Sequence, residues 1–267
     1  MQDIQLDSYL DLIGVNKQTP SLNFLNEILT NHIACLSFSA LAVQLEQYPS
    51  LVPDAIFTRL VLDQQGGYCY EQNSLLHDAL LHLGFDVRPA MARVVFTLDD
   101  PFADRALTHR LNLVELNDQT WIADAGFSQM SPAVALSLDG SPVDGKRVIQ
   151  LRPGEWHYQK AKDQGWKSMF RFEKREVSPL EIEMGHLWSS VHPTATFVNN
   201  MVASRIYPDR TIFLNNLTLQ EILPDQTINT DIESIGELGE VLSKEFNIQL
   251  PDAALTMLFS KARARGH

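Results

Sequence analysis

Residues 65–73 are Gln-Gly-Gly-Tyr-Cys-Tyr-Glu-Gln-Asn, a stretch that contains Cys69, one of the chain's two cysteines. An amphipathic helical pattern follows and ends near Gly84, so Cys69 is predicted at the start of a helix. There, unpaired backbone N–H groups and the positive end of the helix dipole favour the thiolate over the thiol. Gly66 and Gly67 permit a tight turn and a close approach of a substrate to the backbone. The stretch predicts a nucleophilic cysteine, with a buried structural cysteine beside a glycine turn as the alternative.

The composition limits the classes of protein to consider. Of the 267 residues, 45% are hydrophobic and 20% are charged, which is typical of a globular chain with a real core. The net charge of −12 argues against nucleic acid or an anionic membrane as the main partner. No apolar run approaches the roughly 18 residues of a membrane span, and no secretory signal is evident at the start. We therefore expect a cytoplasmic protein.

The cysteines and histidines do not indicate a disulfide or a metal site. Cys35 and Cys69 are enough for one disulfide, but reduced thiols are expected in a cytoplasmic chain. The sequence has no CxxC pair and no HExxH motif. His77 and His82 fall on different faces of their predicted helix, so we expect no metal.

Residues 1–84 have four amphipathic helical patterns, of which the last follows Cys69. Gly14 is expected to end the first helix. Pro20 and Pro53 are expected at the first positions of the second and third helices, which tolerate a missing N–H group. These residues predict a compact helical bundle.

The remainder of the chain changes from helical to strand patterns. Residues 85–178 have short apolar strands punctuated by glycine and proline, which predict a small barrel or sandwich. Residues 179–199 contain another helical pattern. Residues 200–267 combine strands near 200–207 and 210–218 with two terminal helices. The predicted fold class is α+β.

Two side chains in the strand region suit the chemistry of Cys69. His109 lies at the start of one predicted strand and Asp124 at the end of the next, so a hairpin turn at residues 117 and 118 brings them together. A carboxylate at the end of an apolar strand is costly to bury unless it is paired, and histidine is a natural partner. Cysteine, histidine and aspartate then act as nucleophile, base and orienting carboxylate. A surface histidine and a turn aspartate are the alternative.

Several segments resemble the arylamine N-acetyltransferase family, in the order in which the family has them. Residues 65–73 are similar to the family signature RGGxCxExN, residues 108–111 to its histidine segment and residues 124–127 to its aspartate segment. Residues 190–197 resemble a fourth segment, and residues 9–14 resemble the family's opening. The cysteine, histidine and aspartate segments together identify the chain as a divergent, bacterial-type member.

The resemblance implies an architecture and a chemistry. The architecture is a Cys-His-Asp core like that of cysteine enzymes within a helical bundle at 1–84, a β-barrel at 85–178, an inter-domain helical segment at 179–199 and an α/β lid at 200–267. The chemistry is ping-pong transfer of an acetyl group from acetyl-CoA to an arylamine or arylhydrazine through a thioester of Cys69. Phe38 and Phe127 match positions that line the acceptor pocket.

The sequence departs from the family pattern at four positions. Gln65 replaces the arginine before the glycine pair, and Ser39 and Ala40 replace a glutamate and an asparagine that this arginine contacts in the family. Removing both partners of a charged contact can be neutral for stability, so we interpret the change as a replaced structural contact. Ser128 replaces a glycine after Gly-Phe, and we expect it to alter the approach of the coenzyme or the acceptor.

Three functions remain open at this point. The first is acetyl-CoA-dependent acetylation of arylamines or arylhydrazines. The second is amide formation from another acyl thioester in a biosynthetic pathway, and the third is non-catalytic binding on the same fold. The expected partners are a small-molecule amine and an acyl-CoA, with no nucleic acid, no membrane and an unknown oligomeric state. Arg93, Arg105 and Arg205 are candidates to offset the acidic charge near an anionic coenzyme.

Overall fold

The computed structural model describes residues 1–265 and has an α+β fold. Its first part is helical, with α1 at Asp3–Ile13, α2 at Leu22–Cys35, α3 at Leu41–Gln44, α4 at Pro53–Phe57 and α5 at Cys69–His82. A short strand, β1 at Phe38–Ser39, precedes α3, and a π-helical turn at Thr58–Leu62 continues α4. The apolar faces of α1, α2 and α5 pack into one buried core.

The ends of these helices follow local sequence signals, with one exception. Gly14 ends α1 in the left-handed conformation, at φ 68°, and Pro53 begins α4, as predicted. The prediction for Pro20 is wrong, because α2 begins only after Ser21. The Ser21 hydroxyl accepts a hydrogen bond from the N–H of Phe24 at 3.2 Å. A serine cap satisfies a free N–H group of the first turn, which proline cannot do.

Seven antiparallel strands form a nearly closed barrel in the middle of the chain. They are β2 at Asp86–Val94, β3 at His109–Leu116, β4 at Gln119–Ala123, β5 at Leu136–Ser137, β6 at Lys146–Arg152, β7 at Glu155–Lys162 and β8 at Gly165–Glu173. Their order is β5-β4-β3-β2-β8-β7-β6, and the two edge strands pack against each other. Buried side chains fill the interior, among them Leu113, Tyr158 and Phe170.

Strands β3 and β4 form the predicted hairpin. Asn117 and Asp118 make its turn and both have positive φ, 53° and 59°, as the tight turns that match the twist of a hairpin require. His109 is the first residue of β3, and Asp124 directly follows β4. The two residues therefore lie at the same end of the hairpin.

The last part of the chain forms a second sheet with flanking helices. Its elements are α6 at Pro179–Val191, α7 at Thr196–Asn199, β9 at Val202–Ile206, β10 at Thr211–Asn215, β11 at Thr218–Ile222, β12 at Thr227–Asp231, α8 at Ile235–Phe246 and α9 at Asp252–Ala264. The sheet order is β1-β9-β10-β11-β12, so the N-terminal strand β1 joins it, with Phe38 opposite Ser204. The sequence predicted β9 and β10 but not β1, β11 or β12.

A small buried cluster joins these parts of the molecule. It includes Cys69, Phe38, Met91, Ile182 and Val202, which come from helices, both sheets and α6. The division into domains at residues 84, 178 and 199 stays a prediction. Within residues 1–265, no helix is both long enough and apolar enough to cross a membrane.

Candidate active site

Cys69 is the first residue of α5 and its side chain is buried in the wall of a cleft. The preceding turn requires glycine at Gly66, which has φ 66° and lies so close to β1 that a Cβ atom would be 2.7 Å from the Ser39 Cβ. Gly67 is equally confined, because its Cβ would lie 2.9 Å from Oε2 of Glu71. The glycine pair therefore holds the start of α5 against β1.

His109 and Asp124 form a buried pair beside Cys69. Nε2 of His109 lies 2.7 Å from Oδ2 of Asp124, and the two residues are 2% and 0% exposed. The other carboxylate oxygen, Oδ1, accepts hydrogen bonds from Nδ2 of Asn73 and from the N–H of Gly126, each at 2.9 Å. The carboxylate is therefore fixed by three partners, and its position fixes the imidazole ring.

The sulfur of Cys69 lies 3.9 Å from the carbonyl oxygen of Thr108, the residue before His109, and Cys69 and His109 both line the cleft. Nε2 of the His109 ring faces Asp124, so Nδ1 is the ring nitrogen that Asp124 leaves free. Burial lowers the pKa of His109, but the charge and hydrogen bond of Asp124, together with Cys69, outweigh burial and raise the pKa to about 10. His109 is therefore a cation at neutral pH, and such a cation stabilises a neighbouring thiolate.

Asn73 connects the nucleophile helix to the end of the hairpin. Besides Asp124, its side chain donates to the carbonyl of Arg110 at 2.6 Å and accepts from the N–H of Ala125 at 3.0 Å. This role was not predicted, although Asn73 stands one helical turn after Cys69 within the signature stretch. Gly126 also touches this helix, because a Cβ there would lie 2.6 Å from the Cα of Cys69.

Arg59 supplies a charged contact that the sequence reasoning missed. Its Nε donates to the carbonyl of Gly66 at 3.1 Å and lies 3.0 Å from Oε1 of Glu71. Burial raises the pKa of Glu71 to about 7, while the Arg59 charge and a hydrogen bond from the Tyr68 N–H act in the opposite direction. The guanidinium next to the glycine turn therefore comes from the π-helical turn instead of position 65. The only feature that could have indicated Arg59 is its pairing with Glu71 of the signature stretch. The two residues lie in different helical segments, so a local sequence pattern does not reveal the pair.

Ser128 adopts the left-handed conformation, at φ 53°, in which glycine has no steric penalty. Its hydroxyl lies 2.9 Å from the hydroxyl of Ser204 on β9. The departure from glycine thus creates a side-chain contact between the barrel and the second sheet. Ser128 also lines the cleft, next to Phe127.

The cleft over Cys69 and His109 has a volume of about 480 Å³, within the range of sites for small molecules. Phe38 and Phe127 both line it, and their contact with an acceptor stays a prediction. Three more phenylalanines add to the apolar lining, namely Phe96, Phe197 and Phe213. Among residues 1–265, no three His, Cys, Asp or Glu side chains are placed to hold a metal ion.

Comparisons with known proteins agree with this fold. The profile of the N-acetyltransferase family matches residues 21–255. The arylamine N-acetyltransferase of Escherichia coli K12 is 33% identical over 193 residues, which cover 71% of this chain and 68% of the relative. The arylamine N-acetyltransferase structure from Salmonella typhimurium has a TM-score of 0.91 at 25% identity and covers 97% of this chain and 99% of that chain.

A structure of Mycobacterium marinum arylamine N-acetyltransferase in complex with CoA is also similar in fold. It has a TM-score of 0.87 at 24% identity and covers 96% of this chain and 98% of that chain. Together with the family match, these similarities define the present chain as an acetyl-transferring enzyme. It belongs to the arylamine N-acetyltransferase family.

Proposed function

We propose that the enzyme moves an acetyl group from acetyl-CoA to the nitrogen of an arylamine or arylhydrazine through a thioester of Cys69. The observation that carries this proposal is the buried arrangement of Cys69, His109 and Asp124 at the wall of a cleft of about 480 Å³. The CoA complex of the Mycobacterium marinum relative supports the choice of donor. The apolar phenylalanine lining supports a flat aromatic acceptor.

In the first half of the reaction, the Cys69 thiolate attacks the carbonyl carbon of acetyl-CoA. The bond between that carbon and the CoA sulfur breaks, and the departing sulfur takes the proton of the His109 imidazolium. Acetyl-Cys69, free CoA thiol and a neutral imidazole result. The N–H of Cys69 has no acceptor within its own helix, since it is at the first position, and we assign it to the oxyanion of the tetrahedral intermediate.

In the second half, the acceptor nitrogen attacks the thioester carbon and loses a proton to the neutral His109. The carbon–sulfur bond to Cys69 then breaks, which restores the thiolate and the imidazolium. Asp124 holds Nε2 of the ring throughout, so we assign the proton transfers to Nδ1. Splitting the transfer in this way predicts ping-pong kinetics.

The test is release of free CoA thiol from acetyl-CoA with a panel of arylamines and arylhydrazines. We expect turnover that requires both the amine and Cys69, with Cys69→Ala as the control. Thioesters with longer acyl chains, tested in parallel, distinguish the biosynthetic alternative. CoA release no greater than that of the Cys69→Ala variant with every amine would refute the proposal.

A further inference from the structure

The cleft has an unusual charge for so acidic a protein. The chain has a net charge of −12, yet among residues 1–265 no aspartate or glutamate lines the cleft. Of the lysine and arginine side chains in residues 1–265, that of Arg105 alone lines it. The second positive group at the cleft is His109, whose charge is balanced by buried Asp124. The cleft is therefore suited to a ligand with negative charge.

The guanidinium of Arg105 is free to bind a ligand. Arg105 is exposed, and within the described part of the chain no carboxylate lies within 4.0 Å of its guanidinium and no hydrogen bond engages it. The two other candidate arginines are already occupied. Arg93 donates to the carbonyl of Arg105 and lies 3.9 Å from Oδ1 of Asp104, and Arg205 donates to the carbonyl of Ala34 at 2.6 Å.

The backbone around Arg105 is held in place while its side chain stays free. Arg93, on β2, holds the carbonyl of Arg105. Three residues later, the N–H of Thr108 donates to the carbonyl of Ala92 at 3.1 Å, where the chain enters β3. These two contacts fix the segment to the barrel beside the cleft, and a fixed backbone reduces the entropy lost when the side chain binds.

We propose that Arg105 binds a phosphate group of the acyl-CoA donor at the exposed side of the cleft. The proposal rests on the proposed function, because it names the group that recognises the coenzyme. CoA carries a diphosphate and a ribose 3′-phosphate, and the planar guanidinium donates two parallel hydrogen bonds to such groups. The acetyl group then reaches Cys69 along the cleft while the phosphates stay in solvent next to Arg105.

The test compares donors with and without phosphate in the first half of the reaction. The donors are acetyl-CoA, acetyl-dephospho-CoA, acetyl-pantetheine and p-nitrophenyl acetate, and the readout is kcat/KM for release of thiol or nitrophenol. We expect Arg105→Ala to lower kcat/KM for acetyl-CoA about tenfold or more, mainly through KM, because a charge-assisted hydrogen bond is lost. Acetyl-pantetheine and p-nitrophenyl acetate should react with both proteins equally.

Two controls make the result specific. Lys17→Ala removes the same charge at an exposed position that does not line the cleft, and it should leave every donor unchanged. Arg105→Lys should recover part of the loss, since lysine keeps the charge but not the paired donors. A loss confined to acetyl-CoA supports contact with the 3′-phosphate, and a loss shared with acetyl-dephospho-CoA supports contact with the diphosphate.

Two results would overturn the proposal while the proposed function stands. One is an active Arg105→Ala enzyme with unchanged kcat/KM for acetyl-CoA. The other is an equal loss with acetyl-pantetheine, which would mean that Arg105 acts through the structure of the cleft. Failure of the proposed function gives a different result: the wild-type enzyme itself would release no CoA with any amine.

Discussion

At the scale of single residues, the charge state of His109 is set by two opposing effects. Burial lowers its pKa, and the neighbouring Asp124 and Cys69 raise it to about 10. Because this folded pKa is above the ordinary value of 6.5, the charged pair stabilises the fold fully below pH 6.5. That contribution is lost as the pH rises through about 10.

Asp124→Asn tests this balance. The largest of the influences that raise the pKa of His109 is removed while burial remains, so we expect the pKa to fall well below 10. Titration of the imidazole by NMR measures this change directly. Acetyl transfer should fall by a factor on the order of 10³ to 10⁴, since the ring loses its orientation and its charge. A pKa that stays near 10 in the variant would assign the shift to another group.

Arg59→Met tests the contact that replaces the family's arginine. At pH 8 Glu71 is ionised beside Arg59, since its pKa is about 7. Without Arg59 the pKa of Glu71 rises further, so the folded protein must either bury an unpaired charge or take up a proton. We expect the free energy of unfolding to fall by about 2 kcal/mol at pH 8. The loss should be smaller at pH 5, where Glu71 is protonated in the folded state.

The double variant Arg59→Met with Glu71→Gln is the control for this prediction. It removes both charges and should recover most of the stability at pH 8. Urea unfolding at both pH values measures all three proteins. An equal loss at pH 5 and pH 8 would show that Arg59 acts only through its hydrogen bond to Gly66.

The sequence predicted Cys69, His109 and Asp124 at this scale but not Arg59 or Asn73. The first three have distinctive chemistry and stand beside recognisable turns and strands. Arg59, which pairs with Glu71, lies in a π-helical turn, and such a turn has no clear sequence signal. The absence of the family's arginine at position 65 therefore does not indicate that Arg59 supplies the charge instead.

At the scale of elements, the site depends on close packing between α5 and the loop after β4. Gly126 makes this contact, because a Cβ atom at this position would clash with Cys69. Periodic apolar patterns predicted α5 and the β3–β4 hairpin, because both elements bury one face. They did not predict β1, which has two residues, or β12, whose residues are all exposed.

Gly126→Ala tests the packing of these elements. The new methyl group would lie 2.6 Å from the Cα of Cys69, so the loop must move away and carry Asp124 with it. We expect acetyl transfer to fall about 100-fold or more, because small displacements of catalytic groups are costly. Gly236→Ala, in α8, meets no atom closer than 4.0 Å and is the matched control. Equal activity of the two variants would contradict this account of the loop.

At the scale of the whole molecule, the cleft lies where the helices, the barrel and the second sheet meet. The Ser128–Ser204 hydrogen bond joins the segment after β4 of the barrel to β9 of the second sheet. This junction is beyond prediction from sequence, since it links residues 76 positions apart through a strained serine. Composition predicted only that such an acidic surface needs a local positive group to accept an anionic coenzyme.

Ser204→Ala and Ser128→Gly separate the two effects at this junction. Ser204→Ala removes the hydrogen bond and keeps the left-handed serine, so the free energy of unfolding should fall by about 1 kcal/mol. Ser128→Gly also removes the bond but relieves about 1 kcal/mol of backbone strain, so its net effect should be near zero. Denaturant unfolding measures both, and equal losses would mean that Ser128 is not strained.

The most direct test of the central claim is mass spectrometry of the enzyme mixed with acetyl-CoA in the absence of an amine. We expect one added acetyl group on the peptide that contains Cys69, none on the peptide that contains Cys35, and loss of the group when an arylamine is added. Cys69→Ala should carry no acetyl group. Turnover of an arylamine without any acetyl group on Cys69 would contradict the thioester mechanism.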